Sequence, residues 1–189
     1  EDHIATVLRE MERLESVNEQ PIGALGVKVS SRLGQLELVE SWVEGALSSP
    51  LGSGSGQFDN FKGTVETSVP AFCLHSRAAI EQIGGWDTKF ITSQDSDLSM
   101  RMIDAGFLLF KTDLVEVNMA KRKTLKSWAK MGFRYGFWRT KTVLKHPKRF
   151  RFREFLPWFG VISTLILLTN SYAYWFVPAT LYGVVLLLE

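Results

Sequence analysis

Gly84-Gly85-Trp86-Asp87, a short connector and Ser93-Gln94-Asp95-Ser96-Asp97-Leu98 form the stretch on which the reading of this chain turns. Gly84 suits the left-handed ending of a short helix over residues 77–83, with Ser76 as its N-cap. Ser93 is placed to cap a second helix that runs to about Ala105, with Gly106 just beyond its end. A β-rich run, residues 64–74, comes before these helices, and extended patterns at 107–110 and 114–117 come after them. Strands alternating with helices predict an α/β domain.

Working upstream, Ile4, Val7, Leu8, Met11 and Leu14 recur at helical spacing with Arg9, Glu10, Glu12 and Arg13 on the other faces. Residues 3–18 therefore read as an amphipathic helix, ended by Pro21. Residues 22–29 read as a short buried strand and 33–47 as a second helix. Ser48-Ser49-Pro50-Leu51-Gly52-Ser53-Gly54-Ser55-Gly56 is a flexible loop by composition, either a mobile loop beside an active site or a plain linker. It lacks the Gly-Lys-Ser/Thr ending of a phosphate-binding P-loop.

The start of the helix near Asp95 carries a chemical argument. A carboxylate in the first turn meets free backbone N–H groups and the positive end of the helix dipole, so it stays ionised at neutral pH. Such a carboxylate is fit to accept a proton from a hydroxyl. Asp97, two residues on, points elsewhere and suits orienting a substrate or a basic neighbour. The alternative is that both aspartates merely favour a helix N-terminus.

Charge divides the chain into blocks. Residues 1–120 carry 9 basic and 18 acidic side chains, net −9, whereas residues 121–153 carry 13 basic and none acidic, net +13. Residues 155–188, 34 in all, contain no Asp, Glu, Lys or Arg. As one helix they would span about 51 Å, against the roughly 30 Å of a bilayer core. Asn170 and Ser171 divide the run, which predicts a hairpin of two tilted or partly interfacial helices, or one full span with a truncated second, with Pro157, Trp158, Tyr172, Tyr174 and Trp175 near the ends of the two halves. The basic run before it favours the cytoplasmic side and anionic lipid, so an integral membrane protein with a cytoplasmic acidic domain is expected. Basic residues interleaved with Phe133, Tyr135, Phe137 and Trp138 also suit nucleic acid, but the adjoining apolar run already explains the charge, so no nucleic-acid partner is expected. A composition that is 46% hydrophobic and 12% aromatic excludes a disordered chain. The lone Cys73 cannot form an internal disulfide and reads as a small buried apolar residue. The expected organisation is residues 1–120 globular, 121–154 basic and membrane-proximal, and 155–189 transmembrane.

Gly84-Gly85-Trp86-Asp87, then Gln94-Asp95-Ser96-Asp97-Leu98, Arg101 and Gly106 together resemble the acceptor-side half of a family 2 glycosyltransferase domain. Phe133-Arg134-Tyr135-Gly136-Phe137-Trp138 and His146-Pro147, leading into an apolar run, are similar to membrane-anchored members of the succinoglycan-synthesis type. The likeness covers about residues 1–170. It implies an incomplete GT-A-type, Rossmann-like fold and inverting transfer of a sugar from a nucleotide-sugar donor to a glycan or lipid-linked acceptor. By this resemblance Asp95 is the catalytic base, Gly84, Gly85 and Trp86 shape the acceptor pocket, and Asp87 and Asp97 hydrogen-bond substrate or neighbouring loops. Arg134 would neutralise the leaving diphosphate. Met131 and Tyr135 stand where processive members carry Gln and Trp, which argues for adding one sugar at a time.

The family's Asp-x-Asp, which holds a divalent Mg or Mn ion on the donor diphosphate, would lie upstream of Glu1. The chain is thus expected to be the later part of a longer protein, binding no metal and not turning over by itself. His3, His75 and His146 show no metal-ligand spacing. Two other readings remain open: a non-catalytic membrane-tethered module that docks on anionic lipid, and a helical scaffold within a polysaccharide-export assembly.

Overall fold

The computed structural model describes residues 2–31, 36–48, 61–120, 122–150 and 156–170, with scattered positions of the tail (174, 176–178, 180, 181 and 184). Helix α1 (His3–Val17) begins at Asp2, whose carboxylate accepts from the Ile4 and Ala5 amides. Strand β1 (Ile22–Ser31), helix α2 (Leu38–Ser48) and strands β2 (Thr64–Glu66) and β3 (Leu74–His75) follow. Helices α3 (Arg77–Gln82) and α4 (Gln94–Asp104) precede strand β4 (Leu108–Met119), helix α5 (Leu125–Lys145), a 3-10 turn at Pro147–Arg149 and helix α6 (Leu156–Asn170).

The four strands form one mixed sheet in the order β2-β4-β1-β3. The central pair, β1 and β4, is parallel, and each carries a short antiparallel edge strand. Parallel neighbours need a long crossover, which here contains α2, α3 and α4. Side-chain alternation gives the sheet two apolar faces. On one, Leu25 and Val27 pack with Val7, Met11 and Leu14 of α1. On the other, Ala24 and Leu109 pack with Ala79 of α3 and Leu98 and Met102 of α4. This α/β arrangement with a mixed sheet fits the Rossmann-like expectation.

Two departures from the expected strands have local causes. Residues 64–74 are not one strand but two, on opposite edges of the sheet. Pro70 and Ala71, between them, lie directly on β1: a Cβ added at Gly26 would meet Pro70 Cβ at 2.6 Å and the Ala71 backbone at 2.8 Å. The Val27 amide donates to the Ala71 carbonyl at 2.9 Å, which fixes that crossing. Conversely, the two patterns near 107–117 are halves of one strand, because the pairing of β4 with β1 jumps from Val27↔Thr112 to Lys28↔Glu116. The extra residues bulge out of the ladder.

The second helix starts at Leu38, later than expected, and the expected residues 33–35 lie outside the described residues, as does most of the Ser/Gly-rich loop. The basic segment becomes the 21-residue helix α5, capped by the Thr124 hydroxyl, which accepts from the Ser127 amide at 3.2 Å. The chain divides into two compact units, Glu1–Arg149 and Phe150–Glu189. In the second, α6 has 15 residues, about 22 Å of helix against about 30 Å of bilayer core. Among the described residues no helix is long and apolar enough to cross a membrane, so the expected hairpin is unsupported. Most of its second half lies outside the described residues.

Candidate functional site

The link from α3 to α4 is built from the quoted motif. Gly84 and Gly85 both take left-handed conformations, with φ of 76° and 73°, and the Gly85 amide donates to the Ile80 carbonyl at 2.9 Å. Two successive positive φ values favour glycine on steric grounds. Asp87 then closes a turn by accepting from the Lys89 amide at 2.9 Å. Ser93 holds the N-cap position of α4, but its side chain makes no capping bond. Its φ of 64° is the reason: side-chain capping uses an extended N-cap, and a left-handed one does not aim the hydroxyl at the helix amides.

From α4 the two aspartates diverge. Asp97 is fully buried. Its Oδ2 accepts from Arg101 Nε at 2.9 Å, and its Oδ1 lies 2.7 Å from Lys145 Nζ and 2.8 Å from His146 Nε2. Lys145 also reaches Asp87 Oδ2 at 2.9 Å, and its ammonium lies 5.0 Å from the centre of the Phe90 ring. Arg101 adds a bond to the Ile83 carbonyl at 2.8 Å. This network ties α4 and the α3–α4 link to the last turn of α5. Burial by itself would raise the Asp97 pKa, but the bonds from Lys145, His146 and Arg101 outweigh it and hold the carboxyl below its usual range. Asp87 is likewise lowered, chiefly by its bond from Lys145.

Asp95 instead lies exposed in the first turn of α4. Three residues later on the same helix face, Leu98 is buried in the core against which Cys73 packs. The carboxylate therefore stands over the segment that enters β3. Its charge acts on both Cys73 and His75. Burial, and secondarily Asp95, pushes the Cys73 thiol up to about 12, so this cysteine is an inert apolar filler. Trp86, 47% exposed, meets the His75 ring edge-on at 5.8 Å and 75°. Asp95, His75 and Trp86 thus gather at the surface where β3, α4 and the Gly84-Gly85 turn come together.

The chain is similar to succinoglycan biosynthesis protein ExoA of Rhizobium meliloti (strain 1021). The two are 32% identical over 79 residues, 42% of this chain and 24% of the relative. The matched stretch spans about a quarter of that relative's length. No family model matches the chain, and no solved structure matches it significantly.

The remaining expected site residue, Arg134, is exposed on the middle of α5 and lies 5.8 Å from the Tyr135 ring. It stands about 16 Å along the helix from Lys145, which belongs to the buried network. A divalent ion does not fit Asp95-Ser96-Asp97, because Asp97 already faces Arg101 and Lys145 and a cation there would meet their charges. Among the described residues no group of three or more His, Cys, Asp or Glu could hold a metal ion. Lys145 and His75 carried no site signal in the sequence, since their partners are set by tertiary packing. His146-Pro147 was visible as a motif, yet nothing local connects it to Asp97, 49 residues earlier.

Proposed function

We propose that this chain is the acceptor-side part of an inverting glycosyltransferase in exopolysaccharide or cell-surface glycan synthesis, with Asp95 as its general base. The observation that carries the reading is the exposed Asp95 carboxylate at the head of α4, whose charge acts on His75, the residue whose ring meets the partly exposed Trp86. The similarity to a succinoglycan biosynthesis protein supports it. Asp95 takes the proton of an acceptor hydroxyl as that oxygen attacks the anomeric carbon of a nucleotide sugar, and the nucleoside diphosphate leaves. Trp86 offers a face to the acceptor ring, while Gly84 and Gly85, where an added Cβ would meet nothing within 4 Å, leave space beside it. Asp97 and Asp87 serve the site by fixing α4 against Lys145 rather than by touching sugar. Arg134 is proposed to neutralise the leaving diphosphate.

In an enzyme that contains this chain, Asp95→Asn is expected to lower transfer by about 10²- to 10⁴-fold, the usual contribution of a general base, with nucleotide-sugar binding retained. Turnover of the variant at the unsubstituted rate rejects Asp95 as the base.

A second reading, a non-catalytic module that docks on anionic lipid, is favoured by one observation on α5. Phe133, Phe137 and Leu144 are 82%, 52% and 77% exposed. At helical spacing they share a face with Lys126, Lys130, Arg134 and Lys141, the composition of an interfacial helix. The same surface would hold the glycosyltransferase at the cytoplasmic face of a membrane, with α6 and the apolar tail as further anchors. Co-sedimentation with phosphatidylglycerol vesicles, weakening as salt rises, is expected under both readings. Vesicle binding that survives Asp95→Asn and is lost after reversing the α5 charges, in a protein with no transfer activity, selects the lipid module. No binding to the vesicles at low salt excludes the docking surface.

A further inference from the structure

His75 is the titratable group near Asp95 that the mechanism above leaves unused, and its placement is specific. Its backbone is pinned twice: Ala24 of β1 pairs with it, and the Ser76 amide beside it donates to the Gly23 carbonyl at 2.9 Å. Leu74 packs into the α1 face of the sheet and Cys73 into the α4 face. Alternation along the strand therefore sends His75 to the same face as Cys73 and Asp95. The ring is half-buried against Trp86. Among the described residues its ring nitrogens bond no protein group and are not sealed from solvent, which leaves them open to a ligand.

Backbone strain marks the same place. Phe72 and Ser93 have φ of 47° and 64°, the two non-glycine residues in the left-handed region among the described residues. One precedes the Cys73–His75 segment and the other precedes Asp95 by two residues. Strain of this kind persists where the surroundings hold a particular geometry, and it clusters at functional sites. Burial pushes the imidazole below its ordinary pKa while the Asp95 charge pulls the other way, so burial sets the balance. The neutral ring that results can both donate and accept.

We propose that His75 contacts the acceptor of the Asp95 site: its ring and Trp86 form one wall for a sugar, and a ring nitrogen hydrogen-bonds a sugar hydroxyl next to the one that faces Asp95. The ligand class is a neutral pyranose with adjacent hydroxyls. The inference rests on the reading of Asp95 as base and assigns that site a recognition element.

The test uses this chain, with methyl glycosides of glucose, galactose, mannose and N-acetylglucosamine as probes, and follows the His75 ring resonances by NMR. At least one probe is expected to shift those resonances, with a dissociation constant that rises about tenfold in His75→Phe, which keeps the ring contact with Trp86 but removes the hydrogen bond. His75→Gln, which restores a polar group, is expected to recover part of the affinity. If His75→Phe does not fold, the titration of the unsubstituted chain decides alone. Resonances unmoved by all four probes, or probe affinity unchanged in His75→Phe, overturn the proposal. In an enzyme that contains this chain, loss of transfer in Asp95→Asn beside unmoved His75 resonances removes the His75 role alone, whereas retained transfer in Asp95→Asn removes the base itself.

Discussion

A carboxylate with no exposure survives in a fold only if its charge is repaid by partners, and Asp97 has Arg101, Lys145 and His146. Removing the charge strands these groups in turn. Asp97→Asn is expected to cost about 3 kcal/mol in urea unfolding, the scale for breaking a buried ion pair. Asp87→Asn, whose carboxylate is part-exposed, is expected to cost clearly less. Equal costs for the two reject Asp97 as the hub. Because the folded Asp97 carboxyl sits below its ordinary value, its stabilisation is present above the unfolded value, about 3.9, and is lost as pH falls through the lower folded value. Lys145 has the opposite sign: burial alone would lower its pKa, but its bonds to Asp87 and Asp97 raise it. Its contribution is therefore present below the unfolded lysine value and lost as pH rises through the folded one. Denaturation midpoints across pH are expected to fall at both extremes, and the acid fall should shrink in Asp97→Asn. Little of this was legible at the residue scale. The sequence placed Asp97 correctly on a helix start, but Arg101 is one turn away whereas His146 is 49 residues distant.

Elements were legible where their determinants are local. The helices at α1, α3 and α4 follow from apolar spacing and from the glycines that end α3 and α4, with Gly84 and Gly106 both at positive φ. Even so, Ser93 kept the position of a cap without its bond, since the turn after Ile91 brings it in left-handed. The strands were read less well because pairing partners decide where a strand begins and ends. Residues 64–74 have continuous β propensity, yet Thr64–Glu66 pairs with β4 and Leu74–His75 with β1, and Pro70 cannot donate to a ladder between them. In β4 the extended patterns at 107–110 and 114–117 are joined through the bulge, where the Asp113 amide bonds to the Gly63 carbonyl at 3.3 Å. Most of the basic run, Leu125–Lys145, forms helix α5. Its last turn is also structural, because Lys145 leaves the charged surface to meet Asp97. A charge count along the sequence treats Lys145 and Lys141 alike, whereas packing separates them.

At the scale of the whole molecule, both apolar cores, all four strands and the Asp97 network fall within the unit Glu1–Arg149. The apolar tail forms the other unit, Phe150–Glu189. The sheet and its two cores are thus assembled from residues of the first unit. A chain ending at Arg149 is expected to keep its mixed α/β circular dichroism, less the helix of α6, and to unfold in one cooperative transition. Asp97→Asn supplies the internal control. Its cost should be the same in the shortened and the complete chain to within about 0.5 kcal/mol, the additivity expected if the two units fold independently. Loss of the cooperative transition on shortening, with the complete chain still folded, would show that the tail holds the sheet together. A cost of Asp97→Asn that vanishes in the shortened chain would show that the α4–α5 network forms only when the tail is present. Either result would assign the apolar segment a part in folding rather than a separate role.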